Sequence, residues 1–132
     1  MQAILRLLLV DDNVELRTVL CHLLNYADIT IIGEVGDGCL AIDAVRRLRP
    51  DVVLMDYHMP LMDGLAAARL ILADPEPPGI VLLSGDVNPA LCTAAQRLGI
   101  RAVLEKGVAP QVIYEALLLA QTGRPMPRAY AA

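Results

Sequence analysis

Short apolar runs alternate with longer stretches of helical period from one end of the chain to the other. The first run, Ile4 to Val10, stops at the acidic pair Asp11 and Asp12. Asn13 then has the character of an N-cap, and Val14, Leu16, Val19, Leu20, Leu23 and Leu24 give the next segment enough apolar positions to bury a broad helix face. Ile29 to Val35 reads as a second strand, Gly36 to Gly38 as a turn, and Leu40 to Arg49 as a helix closed by Pro50. Asp51 to Met55 is too short and too apolar for a surface helix and fits a central strand. Asp63 and Gly64 open a third helix that runs through Ala73. Three prolines between Asp74 and Gly79 enforce a loop before the strand Gly79 to Leu83. Asn88 caps a fourth helix with Pro89 at its favoured first position, and Gly99 ends it. Ile100 to Leu104 is the fifth strand, and a last helix runs from Pro110 to about Gln121, stopped by Gly123. Five strands separated by five helices predict an α/β sandwich around a mostly parallel sheet. Arg124 to Ala132, with two prolines, reads as a loose tail.

Composition narrows the picture. A chain of 132 residues, 56% of them hydrophobic, suffices for one domain with a full core. A formal net charge of -4 offers no basic surface to a phosphate backbone, which argues against direct nucleic-acid binding. No apolar run reaches membrane-spanning length and the first residues lack a signal-peptide pattern, so a cytoplasmic protein with no membrane partner is expected. Cys21, Cys39 and Cys92 lack metal-ligand spacing, fall within predicted helices, and are expected to be buried there as small apolar residues.

Chemistry enters at the strand ends. Asp11 and Asp12 follow the first strand, Asp56 the third, Ser84 the fourth and Lys106 the fifth. The carboxyl ends of parallel strands lie on one edge of the sheet, so these residues can converge. Three carboxylates held together repel one another unless one takes up a proton or a divalent cation joins them. Asp11 alone also suits a helix cap, and Lys106 a counter-ion that only keeps the fold intact.

With Asp56-Tyr57-His58-Met59-Pro60-Leu61-Met62-Asp63-Gly64 and the Ser84-Gly85 step in the same order, the chain resembles the receiver domains of two-component response regulators from about Leu5 to Gln121. The resemblance implies a flavodoxin-like (βα)5 three-layer sandwich with sheet order 2-1-3-4-5, a receiver over residues 1–123, apparently stand-alone, and a tail over 124–132. It implies a signalling phosphoacceptor rather than an enzyme. Asp56 would accept the phosphoryl group; Asp11, Asp12, Asp56 and the backbone carbonyl of His58 would hold Mg2+, or Mn2+ in its place; Ser84 and Lys106 would bind the phosphoryl oxygens. An aspartate carboxylate can form an acyl phosphate, and a cation and an ammonium are the electrostatic parts that such a transfer needs. His58 and Asp86, two residues beyond Asp56 and Ser84, occupy positions that tune the lifetime of the phosphorylated form, or else point to solvent.

Two departures from the family pattern stand out. Val103 occupies the position three residues before the lysine where receivers carry Tyr or Phe, and Gly107 stands where many have proline. Valine offers no ring to swing. The donor implied is a histidine kinase or histidine phosphotransfer protein docking against the first helix at Leu16 and Val19, with Gly107 at the border, unless those two residues are core. Output would pass through the surface of the fourth helix, fifth strand and last helix to a second copy or an effector protein, with Arg97, Arg101 and Glu115 at its rim. Two alternatives remain open: a phosphate-independent scaffold, favoured by Val103, and an Asp-nucleophile phosphohydrolase of the haloacid-dehalogenase kind. In the latter the two acids stand two residues apart, whereas Asp11 and Asp12 are adjacent.

Overall fold

The computed structural model describes residues 4–123; the tail expected over 124–132 lies outside them. The elements alternate without exception: β1 (Leu5–Val10), α1 (Val14–Leu23), β2 (Ile29–Val35), α2 (Gly38–Leu48), β3 (Val52–Asp56), α3 (Gly64–Ile71), β4 (Gly79–Ser84), α4 (Pro89–Leu98), β5 (Ala102–Glu105) and α5 (Pro110–Thr122). All pairings are parallel and the sheet order is β2-β1-β3-β4-β5. The flavodoxin-like three-layer sandwich expected from the sequence is therefore the fold of this chain.

Continuous apolar runs make the central strands because both sheet faces are covered. Side chains alternate between the faces, so Leu5, Leu7 and Leu9 join one core while Leu8 and Val10 join the other. The first core is closed by α1 and α5 through Leu20, Leu24, Ile113, Leu117 and Ala120. The second is closed by α2, α3 and α4, whose buried residues are mostly alanine, which lets those helices approach the sheet closely. In β2 one extra residue is accommodated, since Leu7 pairs with Ile31 but Leu8 with Gly33.

Short polar residues start four of the five helices: the side chains of Asn13, Asp37, Asp63 and Asn88 accept from the amides of Leu16, Leu40, Ala66 and Leu91. The Asp37 cap corrects one expectation, because α2 begins at Gly38 rather than Leu40. At its other end Arg49 adopts a left-handed φ of 50°, and the guanidinium of Arg6 donates to the carbonyls of Leu48 and Arg49. The third helix ends at Ile71, short of Ala73, and the fifth strand starts at Ala102, after Ile100.

The broad buried face expected for the first helix is overturned. Within α1 only Leu20 is buried, joined by the cap residue Leu24, while Val14, Val19 and Leu23 are exposed. Two helices cover this face of the sheet and three the other, so among the described residues the outer flank of α1 has no neighbour. The cysteines lie on helices as expected, but Cys39 is exposed and Cys21 and Cys92 are only half-buried. Cys21 packs at the margin of the first core and Cys92 at the margin of the second, while Cys39 faces solvent.

Candidate functional site

The parallel register carries five strand ends to one edge. Val10 pairs with Met55, Asp56 with Leu83 and Ser84 with Glu105, so Asp11, Asp56, Ser84 and Lys106 sit at successive positions across it. One carboxylate oxygen from each of Asp11, Asp12 and Asp56 lies within 4.8 Å of the others. Asp11 and Asp56 are 2% exposed, and Asp12 is open to solvent. Lys106 Nζ reaches Asp56 Oδ1 at 2.9 Å, with its own side chain partly exposed.

Asp11 is held at most of its polar atoms. Its amide donates to Val35 O at 3.0 Å, its carbonyl accepts from Arg17 Nη1 at 2.6 Å, and Oδ1 accepts from Asn13 N at 2.8 Å. Oδ2 is buried with no partner among the described residues. Burial pushes the Asp11 carboxyl above its ordinary value and the neighbouring Asp56 adds to this, while the Asn13 hydrogen bond and Lys106 oppose it. The cap of α1 is Asn13, so capping is not what Asp11 does. A buried, unpartnered carboxylate oxygen in a set of three oxygen donors fits a hard divalent cation.

The turn after β3 shapes the rest. Gly64 N donates to Tyr57 O at 2.8 Å, and a Cβ on Gly64 would lie 2.7 Å from the carbonyl oxygen of Asp56, so only glycine allows α3 to start this close. Leu61 takes a φ of 70° and is 93% exposed. The amide of His58 donates to Asp56 Oδ1 at 3.3 Å, and its ring stacks on Tyr57 at 4.6 Å with an interplanar angle of 2°.

Ser84 is buried, and its hydroxyl is engaged by its own loop, donating to Asp86 O at 3.0 Å and accepting from Asp86 N at 3.2 Å. His58 and Asp86 are both exposed, and no hydrogen bond or ion pair joins them among the described residues. Val103 is 6% exposed in the core closed by α4, on which Tyr57 and Val87 also pack. Leu16 is half-buried against the other core, and Val19 is 48% exposed. Gly107 adopts a φ of 95°, a conformation that side chains resist, with open space where a Cβ would be.

Sequence reasoning missed Arg17. Its signal was present, since Arg17, Leu20 and Leu24 share one helical stripe, and a charge on a core-facing stripe needs a partner.

Comparison with known proteins agrees with this geometry. The response regulator receiver domain profile matches residues 7–118. The chain is 45% identical over 87 residues to a protein-glutamate methylesterase/protein-glutamine glutaminase of Nitrosospira multiformis, covering 65% of this chain and 24% of that protein. It is 38% identical over 112 residues to another from Myxococcus xanthus, covering 81% of this chain and 31% of the relative. The chain thus spans about a quarter to just under a third of the length of these curated relatives. Among solved structures, the signal receiver domain of NarL from Mycobacterium tuberculosis matches with a TM-score of 0.87 at 29% identity, over 93% of this chain and 100% of that one. The response regulator domain of Thermotoga maritima CheB matches with a TM-score of 0.84 at 26% identity, over 92% and 99%. With its sheet order, its acidic strand ends and a profile match over most of its length, the chain belongs to the response regulator receiver domain family.

Proposed function

We propose that this receiver is switched by phosphorylation of Asp56, taking the phosphoryl group from a phosphohistidine on a histidine kinase or phosphotransfer protein. The observation that carries this reading is the setting of Asp56: a carboxylate at a strand end, 2.9 Å from Lys106 Nζ and within 4.8 Å of the carboxylates of Asp11 and Asp12. An oxygen of Asp56 attacks phosphorus, the bond from phosphorus to the donor imidazole breaks, and an acyl phosphate forms. Asp11, Asp12, Asp56 and the carbonyl of His58 would hold Mg2+, which lets an anionic phosphoryl group approach carboxylates. Lys106 exchanges its pairing with Asp56 for a phosphoryl oxygen. Ser84 leaves the Asp86 carbonyl and donates its hydroxyl to the same group. His58 and Asp86 border the acyl phosphate separately and set how readily water reaches it.

The receiver unit extends over residues 1–123, and its output passes by contact through α4, β5 and α5 to a second copy or an effector. Among the described residues no helix is long and apolar enough to cross a membrane. The phosphate-independent scaffold stays as a second reading because Val103, buried under α4, leaves β5 without a ring to reorient.

Intact mass after incubation with acetyl phosphate and Mg2+ separates these readings. A phosphate adduct is expected in the parent, and neither Asp56→Asn nor Asp12→Ala should form one, nor should the parent in excess chelator. An unlabelled parent leaves the scaffold reading standing, and full labelling of Asp12→Ala contradicts the proposed cation ligands.

A further inference from the structure

The charge that the core-facing stripe of α1 carries is not idle. Arg17 has a side chain only 17% exposed, and its Nη1 donates to the Asp11 carbonyl at 2.6 Å. On its other side Nε lies 3.6 Å from Glu34 Oε1 on β2, within ion-pair range. Gly36 keeps room for the guanidinium, since a Cβ there would stand 3.2 Å from Nη1. One arginine thereby ties α1, the end of β2 and the loop after β1 together.

We infer that Arg17, anchored by Glu34, is a positioning residue for the acidic pocket: it fixes the peptide after Asp11 so that Asp11 Oδ2 stays turned to the cation site. The inference rests on the metal reading above. Asp11 is pinned by Val35 at its amide, by Asn13 at Oδ1 and by Arg17 at its carbonyl, and Oδ2 alone is left without a partner. Two of the three constraints are charge-assisted, the Asn13 amide on the Asp11 carboxylate and the Arg17 guanidinium on the Asp11 carbonyl, and only the second is a cationic donor reaching in from a helix. Without it the peptide can rotate, and the carboxylate must be ordered again each time a cation binds. Groups that orient metal ligands from behind commonly alter metal affinity by about 10- to 100-fold.

The sign of the effect separates geometry from charge. A guanidinium beside a cation site repels the cation, so if Arg17 acted through charge alone, its removal would tighten binding. If it acts by positioning, removal weakens binding.

The test is Mg2+ titration of the chain followed by amide chemical shifts, with urea unfolding in chelator as a separate measure of stability. Folded Arg17→Ala should bind Mg2+ with a Kd raised about tenfold. Arg17→Lys, which keeps the charge and a donor but not the fork that spans Asp11 and Glu34, should fall between the two. A Kd in folded Arg17→Ala equal to or below the parent's overturns the inference. Should Arg17→Ala not fold, Arg17→Lys decides, and an unchanged Kd there overturns it too. A parent that shows no saturable response to Mg2+ removes the metal reading itself, and this inference with it.

Discussion

Tyr114 shows how one side chain ties distant parts of this chain together and makes the tie sensitive to pH. Its hydroxyl donates to Asp28 Oδ2 at 2.6 Å and its ring stacks on Tyr26 at 3.9 Å, joining α5 to the connection between α1 and β2. The hydrogen bond to a carboxylate holds the phenolic proton and raises the Tyr114 pKa above its ordinary 10.0. The folded state therefore keeps this proton to higher pH than the unfolded chain does. The stability it contributes is full below about pH 10 and is lost as pH rises through the raised folded value. Tyr114→Phe keeps the stack and lacks the proton. Urea midpoints of parent and variant should differ by a constant amount between about pH 7 and 9, and the gap should narrow above about pH 10. A gap that stays constant into strong alkali would mean that the bond to Asp28 adds no stability.

At the scale of elements, exposure redirects the docking expectation for α1. The sequence marks Leu16 and Val19 as contacts for a helical donor, but Leu16 is half-buried against the core whereas Val19 and Leu23, one turn apart, are exposed. Val19→Asp should slow phosphotransfer from a phosphohistidine donor protein about tenfold or more, as expected for a charge placed in an apolar contact. Labelling by acetyl phosphate should be unchanged. Leu16→Asp should instead lower stability, by about 1–3 kcal/mol in urea unfolding, and so depress both activities. Equal effects of Val19→Asp on the two donors would remove α1 as the docking element. The same helix shows what a sequence alone makes legible. Strands β3 and β4 up to their closing Asp56 and Ser84, and β1 from Leu7 on, are apolar because they are buried on both faces, and the Asn and Asp caps are local chemistry, so both can be read directly. Which flank of α1 meets a neighbour depends on how many helices share its face of the sheet, and no local pattern records that. The acids at the strand ends were legible because the strands stop there; Arg17 was legible only as a charge on a core-facing stripe, because its partners, the Asp11 carbonyl and Glu34 on β2, are set by the tertiary fold.

Across the whole molecule, the proposed phosphorylation edge and the proposed output surface are joined through a core that lacks the family's usual ring. Val103 is 6% exposed beside Leu91 and Ala95 of α4, so a signal arriving at Ser84 meets stiff, close-packed aliphatic side chains. A ligand shifts an equilibrium only by its differential affinity for the two states, and no alternative ring position exists here to supply a second state. The first segment to respond should be the loop from Gly85 to Asn88, where Ser84 gives up its bond to the Asp86 carbonyl, together with the capped start of α4. Hydrogen exchange with and without beryllofluoride should therefore show protection confined to that loop and the first turn of α4. Val103→Tyr supplies a ring at the cost of overpacking, about 1–3 kcal/mol, so its stability is measured alongside. In the folded variant, protection should spread along α4, β5 and α5, because the ring can exchange a buried for an exposed position as Ser84 moves. A parent whose α4, β5 and α5 already respond throughout would show that valine transmits the change by backbone movement, and that the ring is dispensable in this chain.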